Sequence, residues 1–350
     1  MRVRGGGRGA AGFRGWWSAR GWCAGVVAVV VGGMPLVVAA HVPAAVRYRV
    51  TRTIPVGANP QGVAVDPAAR TVYVANAGDG AGDGTVSVID ETTGAVTGTI
   101  PVGNQPEGVA VDSAAGTVYV ANWGGGTVSV ISEATGAVTG TIPVGSGPRG
   151  VAADSAARTV YVANQFDGTV SVISEATGAV TRTIRVGNLP WAVAADPAAR
   201  TVYVANYLDG TMSVIDAATG AVTGTIPVGE GGVAVDSAAR TVYVASADFD
   251  DEEGGDGTVS VIDAATGAVT RTIPVGSDPD QVAVDPAART VYVANMDGNT
   301  VSVIDGATST VTATVPVGGW PYGVAVDPGT HTVYVANSAS NTVSVISRGM

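Results

Sequence analysis

The hexapeptide TVYVAN at 71–76 recurs with its tyrosine at positions 119, 161, 203, 292 and 334, and once more as TVYVAS around Tyr243. The tyrosine-to-tyrosine spacings are 46, 42, 42, 40, 49 and 42 residues, so the chain repeats a unit of 42 with a few insertions and one deletion. A period near 40 with only strand-like content indicates propeller blades. Within one unit, 150–186, four strands are legible: GVAAD, TVYVAN, TVSVIS and AVTRTIRV, separated by SAAR, QFDG and EATG. The separators carry the Asp-Gly, Thr-Gly and Asp-Pro chemistry of tight turns, so all three connections are antiparallel hairpins. A first strand of Gly, Ala and Val suits crowding near an axis. A last strand that alternates Val and Ile with Thr suits an outer edge facing water.

The seventh copy stops after its third strand, at 342–347, and the missing fourth strand stands at the other end of the chain. VTRTIPVG at 50–57 is identical to VTRTIPVG at 269–276. An open sheet edge invites aggregation, and an N-terminal strand that completes the last blade removes it. The expected fold is therefore all-β: a seven-bladed β-propeller of four antiparallel strands per blade, closed by the N-terminal strand, with repeats over about 46–347 inside a single domain, 41–350.

VAVDPAARTVYVAN followed by DGTVSVID resembles the YVTN-type β-propeller repeat, with Ala in place of Thr at the third position of the name-giving motif in every copy. The resemblance implies the propeller fold and an extracytoplasmic address, as in secreted and surface-layer proteins. It also implies a fold-level relation to lactonase-type propellers, and no single activity.

All basic residues are Arg, and five of the 18 (Arg2, Arg4, Arg8, Arg14, Arg20) precede the apolar stretch 23–40, with no acid before Asp66. This reads as a signal peptide over 1–40, cleaved before His41, the alternative being an uncleaved anchor. The expected location is secreted or cell surface. Without 1–40 the chain keeps 13 Arg against 29 acids, a net charge of −16 that disfavours nucleic acid and anionic lipid. The expected state is a monomer.

Cys23 lies in the leader, no Lys is present, and only His41 and His331 remain, which argues against triads, Cys-His pairs, Schiff bases and His-rich zinc sites. The aspartates that end each first strand (Asp66, Asp112, Asp154, Asp196, Asp236, Asp285, Asp327) read as turn formers. The acidic run 247–257 offers Asp248, Asp250 and Glu252 as possible calcium ligands, although Glu253 stands where a helix-loop-helix calcium loop needs Gly. A solvated flap is the other reading. No other cofactor is expected.

On one face the repeats recur nearly unchanged, as DPAAR and DAATG, while on the other they differ in every blade. After the entry-loop Pro come Gln61, Glu107, Arg149, Trp191, Asp280 and Tyr322. The second-to-third loops carry Trp123, Phe166, Tyr207, Phe249 and Met296, and Trp320 precedes its Pro. The fifth unit departs twice, with a shortened, Pro-less entry loop containing Glu230 and with the acidic insertion. Large apolar residues on one varied face suggest a ligand or partner site near the channel mouth, made of Gln61, Glu107, Trp123, Arg149, Phe166, Trp191, Tyr207, Glu230, Asp280, Trp320 and Tyr322. The aromatics look dispensable to the core, because other repeats hold small or polar residues at the same places. The expected function is non-catalytic binding of a surface protein, peptide or cell-wall glycan. The rivals are a carboxylate-metal hydrolase of lactonase type and a structural surface-layer component.

Overall fold

In the computed structural model, residues 28–31, 34–37, 46–80, 82–247 and 256–349 are described. Two units separate, 1–45 and 46–350. In the first, Ala28–Val31 pairs antiparallel with Met34–Val37. The leader's basic residues, Cys23 and the cleavage site at His41 lie outside the described residues. Among the described residues no helix is long and apolar enough to cross a membrane.

The second unit follows from how the strands are buried. Thr71–Asn76 and its repeats are sequestered on both faces, with Val72, Val74 and Ala75 fully covered. A strand with no exposed face must be sandwiched between two sheets, so each blade needs a neighbour on either side. The outermost strands, such as Ala137–Pro143, bury little beyond one Ile and turn Thr to water. Seven four-stranded sheets result among the described residues. Blades I to VII have innermost strands Pro60–Asp66, Pro106–Asp112, Pro148–Asp154, Pro190–Asp196, Val233–Asp236, Pro279–Asp285 and Pro321–Asp327. The outermost strand of blade VII is the N-terminal Arg47–Pro55, paired with Thr342–Gly349 through contacts such as Ile54↔Val343. The closure expected from the duplicated octapeptide is thus present.

The aspartates act as turn formers: Asp66 Oδ1 accepts from the N–H groups of Ala68 and Ala69, and the equivalents repeat around the ring. The arginine that ends five of the seven turns has a role the sequence did not disclose, because Arg70, Arg158, Arg200, Arg240 and Arg289 occupy left-handed backbone, which Gly116 and His331 adopt in the other two.

The repeated Asn joins consecutive blades. Asn122 donates to Thr127 Oγ1 and Ser129 Oγ of its own third strand, and its oxygen accepts from Gly103 N–H in the linker arriving from blade I. Asn164 and Asn206 do the same with Gly145 and Gly187. The contact explains three sequence signals together: the terminal Asn of TVYVAN, the Thr and Ser of TVSV, and the Gly of the PVG linker. A Cβ on Gly103 would lie 2.7 Å from Asn122 Cγ.

Three further links between blades are acidic. Glu133 of blade II sits against Asp66 and the Tyr73 hydroxyl of blade I, Glu175 against Asp112 and Tyr119, and Glu91 against Asp327 and Tyr334. Burial first, and the facing aspartate second, push Glu133 and Glu175 up to about 7. Two carboxyls facing each other in this way titrate as a pair, and the raised proton affinity of the glutamate favours a proton between them.

Two outcomes follow. Removing residues 41–57 should expose the edge of Thr342–Gly349 and cause aggregation or a clear fall in melting temperature. Unchanged monomeric behaviour on size exclusion would reject the closure. For the acidic pairs, the folded values of Glu133 and Glu175 exceed the ordinary 4.5, so the folded chain holds more protons between those limits. That stability is complete at low pH and is lost as pH rises through about 7, so the melting temperature should fall between about pH 5 and pH 8. Asp66 and Asp112 are held low by Ala N–H groups and neighbouring side chains despite burial, so they contribute in the opposite sense only below that window. Glu133→Gln with Glu175→Gln should flatten the slope, and an unaltered slope rejects the shared proton.

Candidate functional site at the channel mouth

Each innermost strand except that of blade V begins with a Pro paired to the terminal Asn of the second strand and then carries a β-bulge, as between Pro60 and Val63. A bulge turns one side chain out of the ordinary alternation. The residue after the Pro is the one affected, which is the position that varies between repeats. Two residues on, the strands crowd the axis: a Cβ at Gly62 would strike the carbonyl of Glu107, one at Gly108 that of Arg149, and one at Gly323 that of Gln61.

Blade V lacks this arrangement. Its innermost strand is cut to Val233–Asp236, its entry loop has no Pro, and Ser246 replaces the clamping Asn. Absence of the first turn of strand V lets blades IV and VI meet across it: Trp191 Nε1 donates to Asp280 Oδ1 at 3.1 Å. A cleft of about 270 Å³ opens there, walled by Trp191 and Tyr207 of blade IV, Glu230 of the short loop, Asp278, Asp280 and Met296 of blade VI, Arg149 and Tyr322. A narrower cavity of about 100 Å³ continues down the axis between Glu107, Arg149, Trp191 and Tyr322.

Arg149 organises the mouth. Its guanidinium pairs with Glu107 at 3.1 Å, lies 3.1 Å from the centre of the Trp191 ring and 5.4 Å from that of Tyr322. Tyr207 stacks on Trp191 at 4.9 Å. Burial pushes Glu107 upward against the pull of Arg149, and it pushes Asp280 up to about 6 against Arg149 and the Trp191 N–H. Asp278 is raised by burial and by Asp297. The Tyr322 hydroxyl is buried with no partner.

Seven of the eleven residues expected at a site therefore converge: Glu107, Arg149, Trp191, Tyr207, Glu230, Asp280 and Tyr322. Gln61 instead donates to Asn59 Oδ1. Trp123 donates to Gln165 Oε1 and meets Phe166 edge-on at 5.5 Å, forming a separate pair between blades II and III. Trp320 is 56% exposed in another groove, with Asn59, Asp79 and Asn341. Its left-handed backbone, φ 51°, is the conformation of every residue before an entry-loop Pro. The reading of Trp191 as dispensable to the core needs correction, since it packs against Ala192, Tyr203 and Val233 and both ring faces are occupied. Sequence comparison missed Asp278, whose signal was its place beside Asn59, Gln105 and Trp320 just before the Pro. The suggested calcium ligands Asp248, Asp250 and Glu252, and Phe249, lie outside the described residues. Among the described residues no group of three or more His, Cys, Asp or Glu is arranged to hold a metal.

Arg149→Ala should destabilise the fold by about 3 kcal/mol or more, because it leaves Glu107 and Asp280 buried without their counter-charge. Adding Glu107→Gln should recover part of that loss in urea melts, and strict additivity of the two changes would show that the pair is not coupled.

Among solved structures the chain is similar to Kuenenia stuttgartiensis hydrazine synthase, at 23% identity and a TM-score of 0.75 over 83% of this chain and 96% of that one. This is a likeness of fold. No curated protein matches the sequence significantly. A model described as a lactonase, 7-bladed beta-propeller, matches residues 43–141. The model of the YNCE-like beta-propeller matches residues 146–229 and 221–348, two stretches that overlap at the outermost strand of blade IV, Val222–Pro227. Together they take in more than half of the sequence, and the chain belongs to the YNCE-like β-propellers.

Proposed function

We propose that this chain is an extracytoplasmic binding propeller whose ligand or partner docks at the channel mouth beside blade V. The observation that carries the reading is the convergence of seven varied residues on the one place where a blade is cut back. Varied loops on a rigid frame are where propellers and other scaffolds put recognition. A peptide, a surface protein or a cell-wall glycan presents the mixed polar and apolar surface that such a cleft suits. An anionic partner meets Glu230, Asp278 and Asp280 at the entrance and is disfavoured.

Hydrolysis is the second reading. It is favoured by the match of a lactonase model to residues 43–141 and by two buried carboxyls, Glu107 and Asp280, with raised proton affinity, as general acid-base groups have. Its mark would be lactone turnover that Asp280→Asn abolishes.

The test of the binding reading compares Tyr322→Ala and Glu230→Gln at the mouth with Arg200→Ala and Arg240→Ala on the opposite face, all assayed for retention of cell-envelope material. Truncating a buried aromatic anchor typically costs about 2 kcal/mol of binding, so the first pair should release what the wild type holds and the second should keep it. Release by the second pair alone would place the site on the other face.

A further inference from the structure

We propose that a groove across blades VII and I, apart from the mouth, binds a neutral sugar of the all-equatorial β-gluco type, stacked on the indole of Trp320.

A contrast among the three indoles of the varied face carries the inference. Trp123 donates its Nε1–H to Gln165 and meets Phe166 edge-on, and Trp191 donates its own to Asp280 with Arg149 on one face and Tyr207 on the other. Trp320 is 56% exposed, and among the described residues its Nε1–H has no partner and no ring or guanidinium packs on it. Its main chain is nevertheless pinned. Asn299 Oδ1 accepts from its N–H at 2.9 Å, and its carbonyl accepts from the N–H and the Oγ of Ser338 at 2.9 and 3.0 Å. The backbone there is left-handed, φ 51°, a conformation that Asn59 and Gly147 meet at lower cost in the same place of other repeats. An exposed indole on such a backbone lowers stability twice over, so folding does not account for it. A fixed and uncovered ring is what a stacked ligand needs.

The surroundings set the class of ligand. Trp320 borders a groove of about 500 Å³ with Asn59, Asp79, Gln105, Ser338 and Asn341, within the roughly 300–1,000 Å³ of small-molecule sites. Asn59 Oδ1 accepts from Gln61 Nε2, and Asn341 Oδ1 accepts from Asn59 N–H, so both amides keep their NH2 groups as donors. Ser338 Oγ, whose proton goes to Trp320, keeps lone pairs to accept. No Lys or Arg lines the groove to hold an anion, and three amides stand there against one carboxylate. Groups that donate and accept around an aromatic face match a pyranose whose hydroxyls are all equatorial. Its C–H face lies on the indole and its rim of hydroxyls meets the amides.

The experiment titrates the full chain by calorimetry with cellobiose, with glucuronate, and with penta-proline, an extended peptide that also packs on exposed aromatics. Cellobiose should bind, glucuronate should be weaker and penta-proline silent. Trp320→Asn should weaken cellobiose about tenfold or more without a clear fall in melting temperature, because Asn suits the left-handed backbone. Glu230→Gln, which alters the mouth, should bind cellobiose like the wild type. No heat with cellobiose, a preference for glucuronate or penta-proline, unchanged binding by Trp320→Asn, or loss with Glu230→Gln would each overturn the proposal. A clear fall in the melting temperature of Trp320→Asn would do so too, since the indole would then serve the fold. None of the groove residues borders the mouth, so either result leaves the reading of the mouth to its own test.

Discussion

The buried asparagine that ends the second strand in every blade but V is the contact on which the ring depends. A primary amide in an apolar sandwich is costly unless its donors and acceptor are met, and in Asn122, Asn164 and Asn206 they are met by two different blades. Asn122 ties its own third strand through Thr127 and Ser129 and holds the incoming linker at Gly103. The linker can come that close only because Gly has no side chain. Asn164 and Asn206 hold Gly145 and Gly187 in the same way, and where the ring returns to its start a different residue, Asn341, accepts from Asn59 N–H beside the closing strand.

The same rule explains why blade V is the exception in several respects at once. With Ser246 in place of Asn, nothing requires the standard linker, and the loop before Val233 is short and lacks its Pro. The missing turn leaves room at the axis that Trp191 and Asp280 reach across and that no strand fills. Acidic residues from three neighbouring positions border this gap. A ring of packed blades is stable enough to carry that unfavourable electrostatics, and sites that pay in stability for chemistry are where function concentrates.

Much of this was legible in the sequence. The count of tyrosines, the truncated seventh repeat and the duplicated octapeptide led to seven closed blades, because strand pairing inside a blade is local and each hairpin carries its own turn residues. Comparison of the repeats also picked out the varied face, since positions after the Pro differ in every blade while the DPAAR and DAATG turns keep a common form. It did not find which varied residues meet. Gln61 and Tyr322 occupy the same place in the repeat, yet one bonds to Asn59 and the other lines the mouth. Trp191 looked dispensable to the core and is held between Arg149 and Tyr207. The pairing of Glu133 with Asp66 was equally hidden, for its partners stand 67 residues apart in different blades.

The sequence by itself determined the blade, the number of blades and the closing strand, all of which rest on periodicity and on hydrogen bonds between near neighbours along the chain. Tertiary structure decided the site. Distances between residues in different blades are set by rotation about a common axis and by the gap that one shortened strand leaves. No local pattern of residue types encodes that rotation, so Arg149, Trp191, Asp280 and Tyr322 become neighbours only once the ring has closed.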